Sequence, residues 1–203
     1  MNKLYLQKGF TLAEVVVVAT INTVLMLAVS LTVMYIYQQN SYTFSQSQEI
    51  DHARRGLLTW EQDARSMSTG ADGSYAVEKA QSSSFEFYTN IDHDKDIEFV
   101  RYVVDDHTLY RYIYKATGLP VKYERATPTS IEILSEYVQN IDLGVPLFTY
   151  YGGNGAELLS PEAMITDIRY VDMEIVINVD PLRSPDGYTL KGSVTPRNLK
   201  DNL

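Results

Sequence analysis

Gly9-Phe10-Thr11-Leu12-Ala13-Glu14, followed at 15–37 by VVVVATINTVLMLAVSLTVMYIY, begins a stretch in which no charged side chain occurs between Glu14 and Glu49. A helix facing water on one side cannot omit charge for that long, so the run must be hidden from water. At about 1.5 Å per residue the 15–37 segment spans roughly 35 Å, enough to cross a hydrocarbon core of about 30 Å with modest tilt. Its Val, Ile and Leu side chains favour insertion by roughly 4–7 kcal/mol in sum, which absorbs Asn22 and several Ser and Thr residues.

On the N-terminal side, Lys3 and Lys8 are the only charges before Glu14. Positive charge there predicts an N-terminus on the cytoplasmic side and the remaining chain outside. The apolar stretch is too long for a secretory h-region, and no small-residue cleavage pattern follows it; a plain signal anchor is the competing expectation. Glu14 does not fit that simpler reading. A carboxylate one position before the apolar heart is costly if drawn to mid-membrane, which makes it a functional candidate.

Lys8-Gly9-Phe10-Thr11-Leu12-Ala13-Glu14 resembles the processing signal of type IV prepilins and pseudopilins, whose short basic leader ends in Gly and is followed by Phe, with Glu fifth after the cut. The resemblance implies cleavage between Gly9 and Phe10 by a membrane prepilin peptidase, N-methylation of Phe10, and a Glu14 carboxylate that pairs with the Phe10 amine on its own or a neighbouring subunit. Opposite charges in a low-dielectric bundle attract strongly, and removing one strands the other. The partners implied are the peptidase, other pilins through the N-terminal helix, the membrane platform of the assembly machine and the lipid bilayer. A mid-helix proline frequent in that family is missing here, since the first proline is Pro120.

Beyond the spanning segment, Ile50, Ala53, Leu57, Trp60, Ala64 and Met67 recur at helical spacing, so the helix should continue to about Ser68, with Gly70 and Asp72-Gly73 stopping it. Asp51/Arg55 and Glu61/Arg65 read as solvated i,i+4 pairs. After Gly73 the period becomes two. Strands are expected at Ser84–Asn90, Glu98–Val104, Thr108–Tyr114, Ile141–Tyr151, around Val171–Val179 and at Tyr188–Thr195, with tight connections at Asp105-Asp106-His107 and Gly152–Gly155. A helix with one apolar stripe and an antiparallel sheet with one apolar face bury each other, giving an α+β fold. The expected organisation is a leader at 1–9, a membrane or filament-core helix at 10–37, its amphipathic continuation at 38–70 and a β-sheet domain at 71–203. Within this body, Arg54-Arg55-Gly56-Leu57-Leu58, Asp63-Ala64-Arg65, Phe85-Glu86-Phe87-Tyr88, Glu98-Phe99-Val100-Arg101-Tyr102, Leu109-Tyr110-Arg111 and Ser193-Val194-Thr195-Pro196-Arg197-Asn198 are similar to W-type minor pilins and J-type pseudopilins. Those subunits sit near a filament tip and help start assembly.

The rest of the composition narrows the chemistry. Seventeen Lys and Arg against 26 Asp and Glu give a net charge of -9, which repels phosphate backbones and opposes direct nucleic-acid binding. Without cysteine there is no disulfide, thiolate nucleophile or Cys-based zinc site. His52, His93 and His107 have no metal-ligand spacing, no serine stands in a nucleophile elbow, and Gly152–Gly155 lacks the Lys and helix of a phosphate loop; an enzyme is not expected. Asp92, Asp94, Asp96 and Glu98 alternate as in a calcium loop, but Ile97 and Val103 stand where such a loop needs Gly and Glu, so a solvated connection is the main reading and calcium the competing one. Tyr102, Tyr110, Tyr112, Tyr114, Tyr150 and Tyr151 fit strand propensity and equally an adhesin-like binding face. The function expected is a non-enzymatic minor pilin or pseudopilin that helps build an extracytoplasmic filament: surface pilus, secretion pseudopilus or DNA-uptake filament. An anchored adhesin and a plain anchored ectodomain are the alternatives.

Overall fold

In the computed structural model the described residues are 9–92, 94–182 and 187–197; the expected leader up to Lys8, His93 and Asn198 lie outside them. The chain divides into two units, Met1–Phe44 and Ser45–Leu203. Helix α1, Leu12–Arg65, begins two residues later and ends three earlier than the sequence suggests.

In the first unit α1 exposes its whole apolar surface, and it is long and apolar enough to cross a membrane. Four polar side chains within it bond back to the helix itself. Thr20, Asn22, Thr23 and Thr32 each donate to the carbonyl four residues back, at 2.9, 3.0, 2.9 and 2.9 Å. That back-bonding removes much of their cost in hydrocarbon, where water cannot substitute.

The second unit contains the rest of α1 and three antiparallel sheets. A five-stranded sheet has the order β1 (Val77–Ala80), β2 (Ser84–Thr89), β3 (Glu98–Asp105), β4 (Thr108–Tyr114), β7 (Ser130–Ser135); β5 (Ala116–Thr117) and β6 (Lys122–Tyr123) form a small hairpin. The three-stranded sheet is ordered β10 (Tyr188–Val194), β9 (Tyr170–Ile177), β8 (Phe148–Tyr151). The fold is thus α+β, with a long N-terminal helix whose second half packs on antiparallel sheets. β4 matches its expected bounds, and Asp106 and His107, both at positive φ (41° and 65°), make the two-residue β3–β4 turn.

The core joins Ala53, Leu57, Trp60 and Ala64 of α1, and Met67 just after it, to Phe85, Phe87, Val100, Tyr102 and Leu109 of one sheet and Phe148, Tyr150, Met173, Ile175 and Val194 of the other. Ile50 of the expected stripe is only half-buried. Asp51 pairs with Arg54 at 3.7 Å, one position short of the expected Arg55. Two glycines permit the close approach of α1. A Cβ on Gly56 would sit 2.9 Å from the Leu134 Cβ and 3.3 Å from its carbonyl oxygen, and one on Gly192 would sit 2.8 Å from the Leu57 Cδ1. Gly56→Ala should therefore cost about 1–3 kcal/mol in urea unfolding, because the first obstacle is the Leu134 Cβ, which the strand backbone fixes in place, and the next is that backbone's carbonyl oxygen. Wild-type stability in that variant would show that β7 yields freely.

One expected strand is corrected. Residues 141–147 do not extend β8: Asn140–Leu143 form a single helical turn, α2, closed by Gly144 at φ 63°. The cause is Asn140. Its side-chain amide donates to the Glu174 carbonyl at 2.7 Å and its Oδ1 accepts the Val176 N–H at 2.9 Å, so a side chain occupies the β9 backbone groups that a longer β8 would use. β1, the β5–β6 hairpin and β7 add to the strands expected, and the single sheet anticipated is three.

Candidate functional site

Three polar constellations stand out, beginning with the start of α1. Gly9 and Phe10 are exposed, Phe10 at 88%. Thr11 precedes the first helical residue, and Glu14 reaches back to it: the carboxylate accepts the Thr11 N–H at 2.8 Å and its hydroxyl at 2.9 Å, while the Thr11 Oγ1 accepts the Glu14 N–H at 3.3 Å. This reciprocal pair is a capping box, which satisfies helix N–H groups and places negative charge at the positive end of the helix dipole. The Thr-x-x-Glu spacing carried this signal in the sequence, and the charge-pairing reading of Glu14 passed over it.

The second constellation lies between α1 and the five-stranded sheet. The Arg111 guanidinium pairs with Asp63 at 2.7 Å and Glu132 at 2.9 Å, and the Tyr102 hydroxyl donates to Asp63 at 2.6 Å. Asp63 and Arg111 are almost wholly buried; Glu132 reaches solvent. Burial pushes the Asp63 carboxyl up, against the pull of Arg111 and Tyr102. Burial also holds the Tyr102 phenol well above its ordinary value, so it remains the donor. Burial opposes the Arg111 charge, yet the oxygens of Tyr102, Asp63 and Glu132 keep its guanidinium above the usual range. Nearby, the Thr89 hydroxyl donates to the Asp63 carbonyl at 2.9 Å and meets the Ser66 hydroxyl at 2.9 Å. Apart from the Arg111 Nε, which is buried without a partner among the described residues, these groups bond to one another, which suits a clamp between helix and sheet. Asp63 and Arg111 stand in separate patterns of the sequence, and nothing in either pattern pairs them.

The third is the connection between β2 and β3. Among the described residues, Asp92, Asp94 and Glu98 bring carboxylate oxygens within 4.8 Å of one another. Asp96 stands outside this group and donates its N–H to the Asp94 Oδ1 at 2.6 Å. The Lys115 Nζ lies 3.4 Å from the Asp92 carboxylate.

The remaining candidates disperse. His107 pairs with Asp142 at 2.9 Å, an interaction that raises its pKa, and His52 lies half-buried on α1. Of the six tyrosines, Tyr102, Tyr114 and Tyr150 are buried in the core and Tyr110, Tyr112 and Tyr151 are half-buried, so they do not make one common surface. A cleft of 620 Å³ runs along Ser82, Ser83, Phe148, Tyr150, Leu158 and Glu162, with none of the three constellations in its wall. Comparison with protein-family models and with curated proteins finds no match to the chain.

Proposed function

We propose that this chain is a structural, non-catalytic subunit of a type IV pilin-like filament, of the minor pilin or pseudopilin kind. It is inserted in the cytoplasmic membrane with its N-terminus inside, cut between Gly9 and Phe10 by a prepilin peptidase, methylated at Phe10, and drawn into an extracytoplasmic filament through packing of 10–37 with neighbouring subunits. The observation that carries this reading is Gly9-Phe10-Thr11-Leu12-Ala13-Glu14 directly before an uncharged helix with no buried residue before Glu49. An apolar surface of that extent has two stable environments, lipid and other apolar helices, and a filament subunit uses both in turn.

The capping box supports the proposed role of Glu14. Its carboxylate already holds the N–H of Thr11, the residue next to the nitrogen that cleavage would free. A new ammonium at Phe10 would meet a carboxylate held in place by the helix start, at little additional ordering cost.

The deciding measurement is the mass of the native amino terminus. The mature chain should begin at Phe10 and bear one methyl group, and Gly9→Val should block the cut, because a side chain before the scissile bond crowds the peptidase. Recovery of the chain with its initiator methionine would leave a plain anchored ectodomain as the reading.

A further inference from the structure

We propose that Asp92, Asp94 and Glu98 form a calcium site in the connection between β2 and β3. This inference is independent of the filament reading. Glu98, the first residue of β3, is only 1% exposed, unlike Asp92 and Asp94 on the connection. Its Oε2 accepts the Ile91 N–H at 3.1 Å, while its Oε1 is buried with no hydrogen-bond partner among the described residues. A buried carboxylate oxygen without a donor is costly unless something else neutralises it. A metal ion shared with two further carboxylates removes that cost.

Asn90, at the start of the same connection, repeats the pattern. Its Nδ2 donates to the Asp94 carbonyl at 2.7 Å and its Oδ1 is buried without a partner among the described residues. Amide and carboxylate oxygens are the ligands hard cations take.

The ligand set favours calcium over magnesium. Several carboxylates gathered on one connection suit calcium, which takes about six to eight oxygens in flexible geometry, better than magnesium, which keeps several waters and is usually held by one or two carboxylates. Charge agrees: three carboxylates offset by the Lys115 ammonium leave about two negative charges, those a divalent cation neutralises. The Lys115 contact is long, with both side chains half exposed, so the ammonium can swing aside.

The test titrates the full chain, in detergent micelles, with calcium chloride, following heat of binding and thermal unfolding. One calcium should bind, and millimolar calcium should raise the unfolding midpoint by about 2–6 °C, with magnesium giving less than half that shift. Asp92→Asn/Asp94→Asn, both at exposed positions, should abolish binding and shift. Glu98→Gln should weaken binding on the order of tenfold while leaving the calcium-free midpoint unchanged or higher, since it removes a buried charge. Lys115→Gln should tighten binding by releasing Asp92. No shift at millimolar calcium would overturn the proposal, and so would an equal shift in the Asp92→Asn/Asp94→Asn chain, which would mark general screening of an acidic protein. Should Glu98→Gln fail to fold, the double Asn variant still decides.

Discussion

Arg111→Met should lower the stability of the 45–203 unit by about 3–5 kcal/mol, the usual cost of removing one partner from a buried charge pair. Arg111 and Asp63 are 7% and 6% exposed, so the stranded Asp63 carboxylate has little access to water and, among the described residues, keeps the Tyr102 hydroxyl as its side-chain donor. The opposite change, Asp63→Leu, strands Arg111 less completely, because Glu132 remains 2.9 Å from its Nη1 and reaches solvent; its cost should be smaller. Combining the two should recover much of the loss, since the penalty arises from an unpaired charge more than from the absence of the pair. Urea unfolding of the four proteins closes the cycle. Additive losses would show that Arg111 and Asp63 are not coupled, and losses below about 0.5 kcal/mol, typical of surface substitutions, would remove the clamp from the account of helix docking.

Glu14→Ala should leave membrane insertion intact and reduce incorporation into filaments on the order of tenfold or more, a factor that corresponds to about 1.4 kcal/mol per subunit contact. Alanine removes both the charge and the capping box, so the informative partner is Glu14→Gln. Glutamine at this position keeps hydrogen bonds to Thr11 and loses only the charge. If pairing with the Phe10 amine drives assembly, Gln should fail as Ala does. If helix capping is the whole role, Gln should assemble like the wild type and Ala alone should be impaired. Quantifying the subunit in filaments sheared from cells, against the amount retained in membranes, separates the two.

How far the fold was legible depends on where each residue's partners lie. β4 and the Asp106–His107 turn were readable because alternation and turn chemistry are local. β8 was overextended because nothing within 141–147 announces that Asn140 will bond the backbone of β9 some 34–36 residues away. β7 was missed because Ile133-Leu134 breaks the alternation begun by Ile131-Glu132, and the two isoleucines are more than half exposed while Leu134 packs on the core, so its apolar side chains do not mark one buried face. The acidic connection was legible as a row of four carboxylates, but not that Glu98 alone among them would be buried or that Asp96 would turn to the Asp94 side chain.

Sequence by itself determined what this protein must hide: an uncharged apolar helix long enough to span a bilayer, a Gly9–Glu14 entry to it, and an apolar stripe continuing into a period-two body. Those are properties of side-chain chemistry and spacing along one chain, and water enforces them whatever the rest does. Tertiary structure alone decided that the continuation of α1 would meet two sheets at Gly56 and Gly192, that Asp63 and Arg111 would share a buried clamp, and that one carboxylate oxygen of Glu98, Oε1, would lose water without gaining a donor among the described residues. Each of these depends on atoms brought together from distant positions, where burial changes what a charge costs, and no local pattern encodes that cost.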